Sequence, residues 1–370
     1  MDWANSSASK CSLRALNYQE NIPEQTLAIL LDLGDDLDVV VKQNFNIVGT
    51  GSYFPSKVVS AEEIDSRTHQ PKGWSREYVG VESRHECVAP ATQITMGAEA
   101  IKLAMADAQV DWPDIDCIID CSTCQFRPIP CNATHYQAAF GDVAKSISCF
   151  DVQSTCLGSI LAIRNVNALF ASGDCQTAIV VASESSLAGV NWSQPESASL
   201  FGDGAAAMVL QRVTPDNSMA VRHETFAEHI ELCKVDGGGF KLPFFEYTPD
   251  RKSEFLFNMD GPSLFRVARK LLPPMVHQIM ADMHSHTGDN QLHVIPHQAS
   301  PKAIEFVRKL FNFSAERYHV AVRVTGNTIA ASIPMMIDRT RREASIDPGD
   351  WVMLLGTSAG YSQAAMIFRY

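Results

Sequence analysis

The sequence predicts an α/β protein built from two similar halves, each a sheet covered by helices. Three observations carry this. Short apolar, β-branched runs alternate with amphipathic runs, the pattern of sheets with helices on their faces. A Gly turn feeding a strand occurs twice, as Leu200-Phe-Gly-Asp-Gly-Ala-Ala-Ala-Met-Val-Leu-Gln-Arg and as Leu355-Gly-Thr-Ser-Ala-Gly-Tyr-Ser-Gln-Ala-Ala-Met-Ile-Phe-Arg. Each copy follows a predicted strand, at 178–182 and at 351–355, so the duplication divides near residue 215. The 370 residues are 46% hydrophobic, enough to bury a large core.

Residues 1–43 differ from the rest. They are polar and unpatterned up to Glu24. Thr26-Leu-Ala-Ile-Leu-Leu-Asp-Leu-Gly then predicts a short helix or an arm ahead of the main body. We treat 1–43 as an extension whose role the sequence does not reveal. The first half, 44–215, opens with a strand at Phe45 that ends in the turn Gly49-Thr-Gly-Ser. Apolar positions 100, 101, 103, 104 and 108 predict an amphipathic helix from Glu99. A buried strand follows at 116–121. Cys156 precedes a helix expected to run to about Ser172, with Gly173 as its stop. Thr177-Ala-Ile-Val-Val-Ala-Ser is β-branched and reads as a strand. The second half, 216–370, opens in loops at 236–240 and 242–249. A helix is predicted over 261–285, and Pro273 and Pro274 inside it predict a kink or break. Ser300 and Pro301 supply an N-cap and a first helical residue directly after His297.

Bulk properties exclude several function classes. The net charge of −12 argues against a nucleic-acid partner. No run of 18 apolar residues occurs, so no membrane span is expected. The start lacks the charged, apolar and small-residue order of a secretory signal. Ten cysteines in a chain of this length fall short of a disulfide scaffold, so reduced thiols in a cytoplasm are expected. Cys121-Ser-Thr-Cys124 has CxxC spacing but no second pair; it closes an apolar strand and reads as structural, so no metal is expected.

Three residues carry the chemistry. Cys156 stands where Phe150-Asp-Val-Gln-Ser-Thr meets an apolar helix, so unpaired backbone N–H groups and the helix dipole favour its thiolate. His297 ends a strand in Val294-Ile-Pro-His-Gln-Ala-Ser. Asn327 enters a helix in Thr325-Gly-Asn-Thr-Ile-Ala-Ala-Ser. Cys, His and Asn in that order point to covalent acyl chemistry.

From about residue 44 onward the chain resembles the β-ketoacyl-acyl-carrier-protein synthase III group of thiolase-fold enzymes. The matching pieces are Gly49-Thr-Gly-Ser-Tyr-Phe-Pro, Gly80-Val-Glu-Ser-Arg-His, the Cys156 segment, Phe201-Gly-Asp-Gly-Ala, Pro296-His-Gln-Ala and Gly326-Asn-Thr-Ile-Ala-Ala-Ser-Ile-Pro. The resemblance implies duplicated βαβαβ halves in an αβαβα layered sandwich and a homodimer. It implies that Cys156 accepts an acyl group from a thioester, while His297 and Asn327 stabilise the enolate left when a malonyl thioester loses CO2. The backbone N–H groups of Cys156 and Gly360 would form the oxyanion hole, in a final loop poorer in glycine than is usual for the family. No cofactor is implied, only acyl-CoA or acyl-carrier protein and malonyl-carrier protein as substrates.

The chain departs from the pattern at the coenzyme A site. Trp74 matches the family's Trp, but Tyr78 and Pro195 stand at its two Arg positions, and neither replaces a bidentate or stacking guanidinium. A carrier-protein-bound donor is therefore expected. Ile129 occupies the position where acetyl-specific members lend a Phe to the partner subunit, which suggests a medium or longer acyl group. Ser300 is expected along the pantetheine path. Lys302, Arg308 and Lys309 share part of a helix face that docks the acidic carrier protein in the family. Two other readings remain open at this point: transfer to a non-malonyl acceptor, and a silent partner subunit.

Overall fold

The computed structural model describes residues 39–287 and 292–370. Most of the 1–43 extension, including the helix expected near Thr26, lies outside the described residues. Its last part is corrected: Val40–Lys42 form a strand, β1.

The first half contains β2 (Phe45–Tyr53), β3 (Lys57–Ser60), α1 (Ala61–Arg67), β4 (Ser83–Glu86), α2 (Gln93–Ala108), β5 (Cys117–Asp120), α3 (Asn132–Phe140), β6 (Ser148–Asp151), α4 (Gly158–Ser172), β7 (Thr177–Glu184) and β8 (Gly204–Arg212). The second contains β9 (Ser218–Thr225), β10 (Cys233–Lys234), β11 (Asn258–Met259), α5 (Gly261–Thr287), β12 (Leu292–Pro296), α6 (Pro301–Leu310), α7 (Ser332–Arg342), β13 (Trp351–Ser358) and β14 (Ser362–Arg369).

Among the described residues the strands build two five-stranded sheets, ordered β2-β8-β7-β5-β6 and β1-β9-β14-β13-β12. β5 runs parallel to β6 and β7, and β12 runs parallel to β13; the other pairs are antiparallel. The series β2-β8-β7-β5 thus has its counterpart in β9-β14-β13-β12. The repeated Gly-turn segments are the antiparallel strands β8 and β14.

The layers follow from what each element buries. α4 and α7 lie between the sheets: Ile163, Val166 and Phe170 of α4 and Ile333 and Ile337 of α7 share one core with Val180, Met208, Leu354 and Met366. Each such side chain contributes about 1.5–3 kcal/mol by leaving water. α2 and α3 cover the outer face of the first sheet, where Met96, Ile101 and Tyr136 meet Ile118, Val181 and Val209. α5 packs against β9 and β14 on the outer face of the second. Helix, sheet, helix, sheet and helix therefore stack in five layers.

Two helix readings differ from the expectations and one is met. α2 begins at Gln93 rather than Glu99, because Thr92 and Thr95 cap it reciprocally and bury Ile94 and Met96 in the added turns. α4 follows Cys156 as expected: it begins at Gly158, after a tight turn at Thr155–Leu157, and stops at Gly173, in left-handed backbone. α5 runs unbroken through Pro273 and Pro274. The two missing N–H donors orphan the carbonyls of Arg269 and Lys270, both exposed, so water can replace the lost bonds.

Candidate active site

Three segments meet at Cys156. The first is the turn Thr155–Leu157. Gly158 lets this turn sit directly on the Cys121 carbonyl at the end of β5, where any Cβ would collide with backbone. Thr155 is held at φ +46°, an uncommon backbone for a β-branched residue immediately before the expected nucleophile.

The second segment is the end of β12 beside β13. His297 is 5% exposed, and its N–H donates to the Leu355 carbonyl, 2.7 Å. Gly356 of β13 lies between the two segments: a Cβ there would stand 2.9 Å from His297 Cβ and 3.0 Å from Leu157 Cδ2. The absence of a side chain at 356 is what lets the histidine and the cysteine turn close around one strand.

The third segment is the loop Gly326–Ala331. Asn327 is anchored through its backbone, donating to Leu200 O at 2.7 Å and accepting from Gly202 N–H at 3.1 Å. Its side-chain Oδ1 accepts from Ile329 N–H at 2.9 Å, so its NH2 is the end left for other partners. Cys156 packs against an apolar cluster that includes Phe201 and Ile329. Glu184, fully buried, joins the loop to the segment after β5. Its carboxylate accepts from Thr123 N–H (2.7 Å), Cys124 N–H (3.0 Å) and Ala330 N–H (3.3 Å).

The electrostatics correct one expectation. Burial pushes the Cys156 thiol well above the ordinary cysteine range, and Cys233 and Glu184 add to it. Backbone N–H groups of Cys156 and Ala359 oppose the rise without cancelling it. A helix start does not by itself give a resting thiolate here, because desolvation outweighs the donors. The backbone N–H of Ala359, the residue before Gly360, is the one that acts on the thiol, and Gly360 itself stands in left-handed backbone at φ +76°. Burial also lowers His297 to about 4, so its imidazole is neutral at pH 7.

The other predicted residues lie on separate elements. Trp74 precedes a wide turn, Ser75–Val79, held by the Asp65 carboxylate, which accepts from Ser75 N–H at 2.8 Å. Its ring stacks on Tyr78, with centroids 5.6 Å apart and planes 24° apart. Pro195 begins a single helical turn. Ile129 is 85% exposed. Ser300 caps α6, accepting from Ala303 N–H at 3.2 Å, so its oxygen is already engaged. Lys302 is exposed. Arg308 instead forms a two-pronged pair with Glu305, 2.9 Å on each prong, and Lys309 lies 3.4 Å from the same carboxylate. Of the three cations expected to form one docking face, two share a single intramolecular partner. A small apolar cavity lies against His297 between α5 and α6, lined by Phe265, Leu272, Ala299, Ala303 and Ile304 among others.

Ala359, Glu184, Gly356 and Ser332 were missed in sequence. Ser332 Oγ lies 2.7 Å from His297 Nδ1. Ala359 was hidden by a glycine beside it. Glu184 follows a buried strand and carries no motif of its own.

Known proteins resemble this chain in sequence and fold. The family model described as 3-oxoacyl-[acyl-carrier-protein (ACP)] synthase III matches residues 150–227, and its C-terminal counterpart matches residues 284–370. The β-ketoacyl-[acyl-carrier-protein] synthase III of Rhizorhabdus wittichii is 30% identical over 326 residues, covering 88% of this chain and 98% of its own. That of Neisseria gonorrhoeae is 29% identical over 330 residues, covering 89% and 100%. The crystal structure of 3-oxoacyl-[acyl-carrier-protein] synthase III from Aquifex aeolicus superposes with a TM-score of 0.78 at 25% identity, over 88% of this chain and 100% of that one. No described helix is long and apolar enough to cross a membrane.

Proposed function

The chain belongs to the β-ketoacyl-[acyl-carrier-protein] synthase III family, and from that premise we propose that it condenses a Cys156-bound acyl group with a malonyl thioester. The observation that carries the residue roles is that the Cys156 turn meets the His297 segment across Gly356 and meets the loop that follows Asn327.

In the first half-reaction Cys156 Sγ attacks the thioester carbonyl of the donor. The Sγ–C bond forms, the donor's C–S bond breaks, and the thiol proton ends on the departing thiol. The Cys156 and Ala359 N–H groups hold the transient oxyanion. The raised thiol pKa means that the proton must leave as the bond forms, rather than beforehand. In the second half-reaction the malonyl group loses CO2 and its electron pair passes into an enolate. The enolate oxygen accepts hydrogen bonds from His297 Nε2–H and the Asn327 NH2. Its carbon then attacks the Cys156 thioester, and the thiolate leaves and regains a proton. A neutral histidine suits this step, because its single N–H can donate to the enolate oxygen without the buried ring having to carry a charge. Neither half-reaction calls for a metal or an organic cofactor.

A carrier protein is the donor this reading favours over coenzyme A. Trp74 and Tyr78 already stack on each other, and Tyr78 offers no charge to a phosphate. The exposed Lys302 supplies a cation for an acidic carrier protein. Ile129, smaller than Phe, favours a medium or longer acyl group. Its exposure on the single chain supports a homodimer in which a second copy covers it. A free nucleophilic thiol suits the cytoplasm. Either fatty-acid or polyketide-type synthesis could use this reaction.

The test is intact mass spectrometry. The protein is mixed with acyl-CoAs and acyl-carrier proteins of two to twelve carbons, with Cys156→Ala as control, and malonyl-carrier protein is then added. The reading requires a Cys156 adduct that malonyl discharges with release of CO2. An adduct that malonyl leaves untouched would refute the condensation.

A further inference from the structure

We propose that Ser332 is a positioning residue that fixes His297 in the tautomer carrying its proton on Nε2. The inference deepens the role just given to His297 and rests on that reading. Ser332 is 1% exposed, and its Oγ lies 2.7 Å from His297 Nδ1. The Gln298 N–H donates to the same oxygen at 3.3 Å. A hydroxyl has one hydrogen and two acceptor sites. With a backbone N–H already directed at the oxygen, its own hydrogen goes to Nδ1, and the structure records no other acceptor for it among the described residues. Nδ1 is then the acceptor of the ring. In a neutral imidazole the remaining proton must sit on Nε2, the nitrogen that serves the enolate.

The direction of the Gln298 N–H is itself fixed. The Gln298 side chain donates to Pro296 O at 2.7 Å and to His319 O at 3.2 Å, and accepts from Ala321 N–H at 2.8 Å and Val322 N–H at 3.1 Å. Four bonds to surrounding backbone hold the residue that aims the donor at Ser332. Ser332 also opens α7 immediately after the loop that carries Asn327, so one short segment orients both enolate donors. Asn327 is set through Ile329 N–H and His297 through Ser332 Oγ. Ser332, Gln298 and Thr328 line one wall of a cavity of 550 Å³, and a threonine at 332 would keep the hydroxyl that the proposal needs.

The experiment uses the full chain and its Ser332→Ala and Ser332→Thr variants, each with ring-¹⁵N histidine. The His297 signals are assigned by their loss in His297→Ala. In the unmodified protein the spectrum should show the Nε2–H tautomer; Nδ1–H there would overturn the proposal whatever the variants do. In Ser332→Ala the signals should move toward a mixture of tautomers. CO2 release from malonyl-carrier protein by the pre-acylated enzyme should fall at least tenfold, as when a histidine loses the partner that sets its tautomer. Loading of Cys156 should stay within about threefold, because the proposal gives His297 no part in that step. Ser332→Thr should restore both the spectrum and the decarboxylation. An unchanged tautomer and unchanged CO2 release in Ser332→Ala would sink the idea, as would equal loss of both half-reactions. If the unmodified protein neither loads Cys156 nor releases CO2, the condensation reading fails, and the spectrum still decides the tautomer.

Discussion

Acidification separates the neutral, buried histidine from an ordinary one. With a pKa of about 4, His297 is about 90% neutral at pH 5; at the usual 6.5 it would be only about 3% neutral. The two cases differ roughly thirtyfold in the fraction able to act as an uncharged donor. The assay is single-turnover CO2 release from malonyl-carrier protein by enzyme whose Cys156 is already acylated, from pH 4.5 to 8 at constant ionic strength. Pre-acylation removes the pH dependence of the thiol from the measurement. The rate should stay nearly flat down to pH 5 and decline only toward 4. A midpoint near 6.5 would refute the assignment of a desolvated, neutral His297. The fold should tolerate the low-pH points. His297 and His319 are both lowered to about 4, so between pH 6.5 and 4 the unfolded chain binds more protons, and stability falls as the pH falls. Asp120 and Asp203 are raised by burial, to about 7 and about 6, so there the folded chain holds more protons, and stability rises as the pH falls. The two slopes oppose each other across the same window.

Three further changes test other parts of the site. Gly356→Ala places a methyl 2.9 Å from His297 Cβ and 3.0 Å from Leu157 Cδ2; it should cost about 1–3 kcal/mol by overpacking, seen as a lower melting temperature, and slow CO2 release at least tenfold. Full activity would mean that the strand shifts freely. Tyr78→Arg breaks the Trp74 stack and restores a cation, so Cys156 loading from acyl-CoA should rise about tenfold, the equivalent of one charge-assisted hydrogen bond, while loading from acyl-carrier protein stays level. Equal gains from both donors would remove the argument about coenzyme A. Lys302→Ala should raise KM for the carrier protein several-fold, and Arg308→Ala should raise it less, because Glu305 already holds that guanidinium; steady-state kinetics with the two variants side by side decides it.

Much of the architecture was legible because it rests on local rules. The two Gly-turn segments predicted paired strands, and β8 and β14 are those strands. Ser300 with Pro301, and Gly173 at a helix end, act through bonds within a few residues, so their sequence signals held. What failed depended on distant surroundings. A helix start predicted a thiolate at Cys156, but the depth of its burial is a tertiary property that no neighbour in sequence reports. The Pro273-Pro274 pair predicts a kink or break, but Arg269 and Lys270, whose carbonyls lose their donors, are exposed, so water can serve them. One oversight was local instead: Glu305, three residues before Arg308 on the same helix, pairs with it. Cys, His and Asn were found by their order in the chain. Ser332 lies inside the Gly326–Pro334 motif and Glu184 outside any motif, but the bonds that both make to distant segments become visible only when the chain is folded.

The strand Val40–Lys42 has a practical consequence for anyone who shortens this protein. It pairs with β9 at Ala220, Met219 and Ser218 and covers that side of the second sheet. The family resemblance begins near residue 44, an inviting place to cut, yet trimming there would strip the cover from β9. The bared row of N–H and C=O groups could recruit strands from other molecules. Truncations that start at or before Val39 keep the edge closed; those that start at 44 invite aggregates that would be misread as a defect in the enzyme itself.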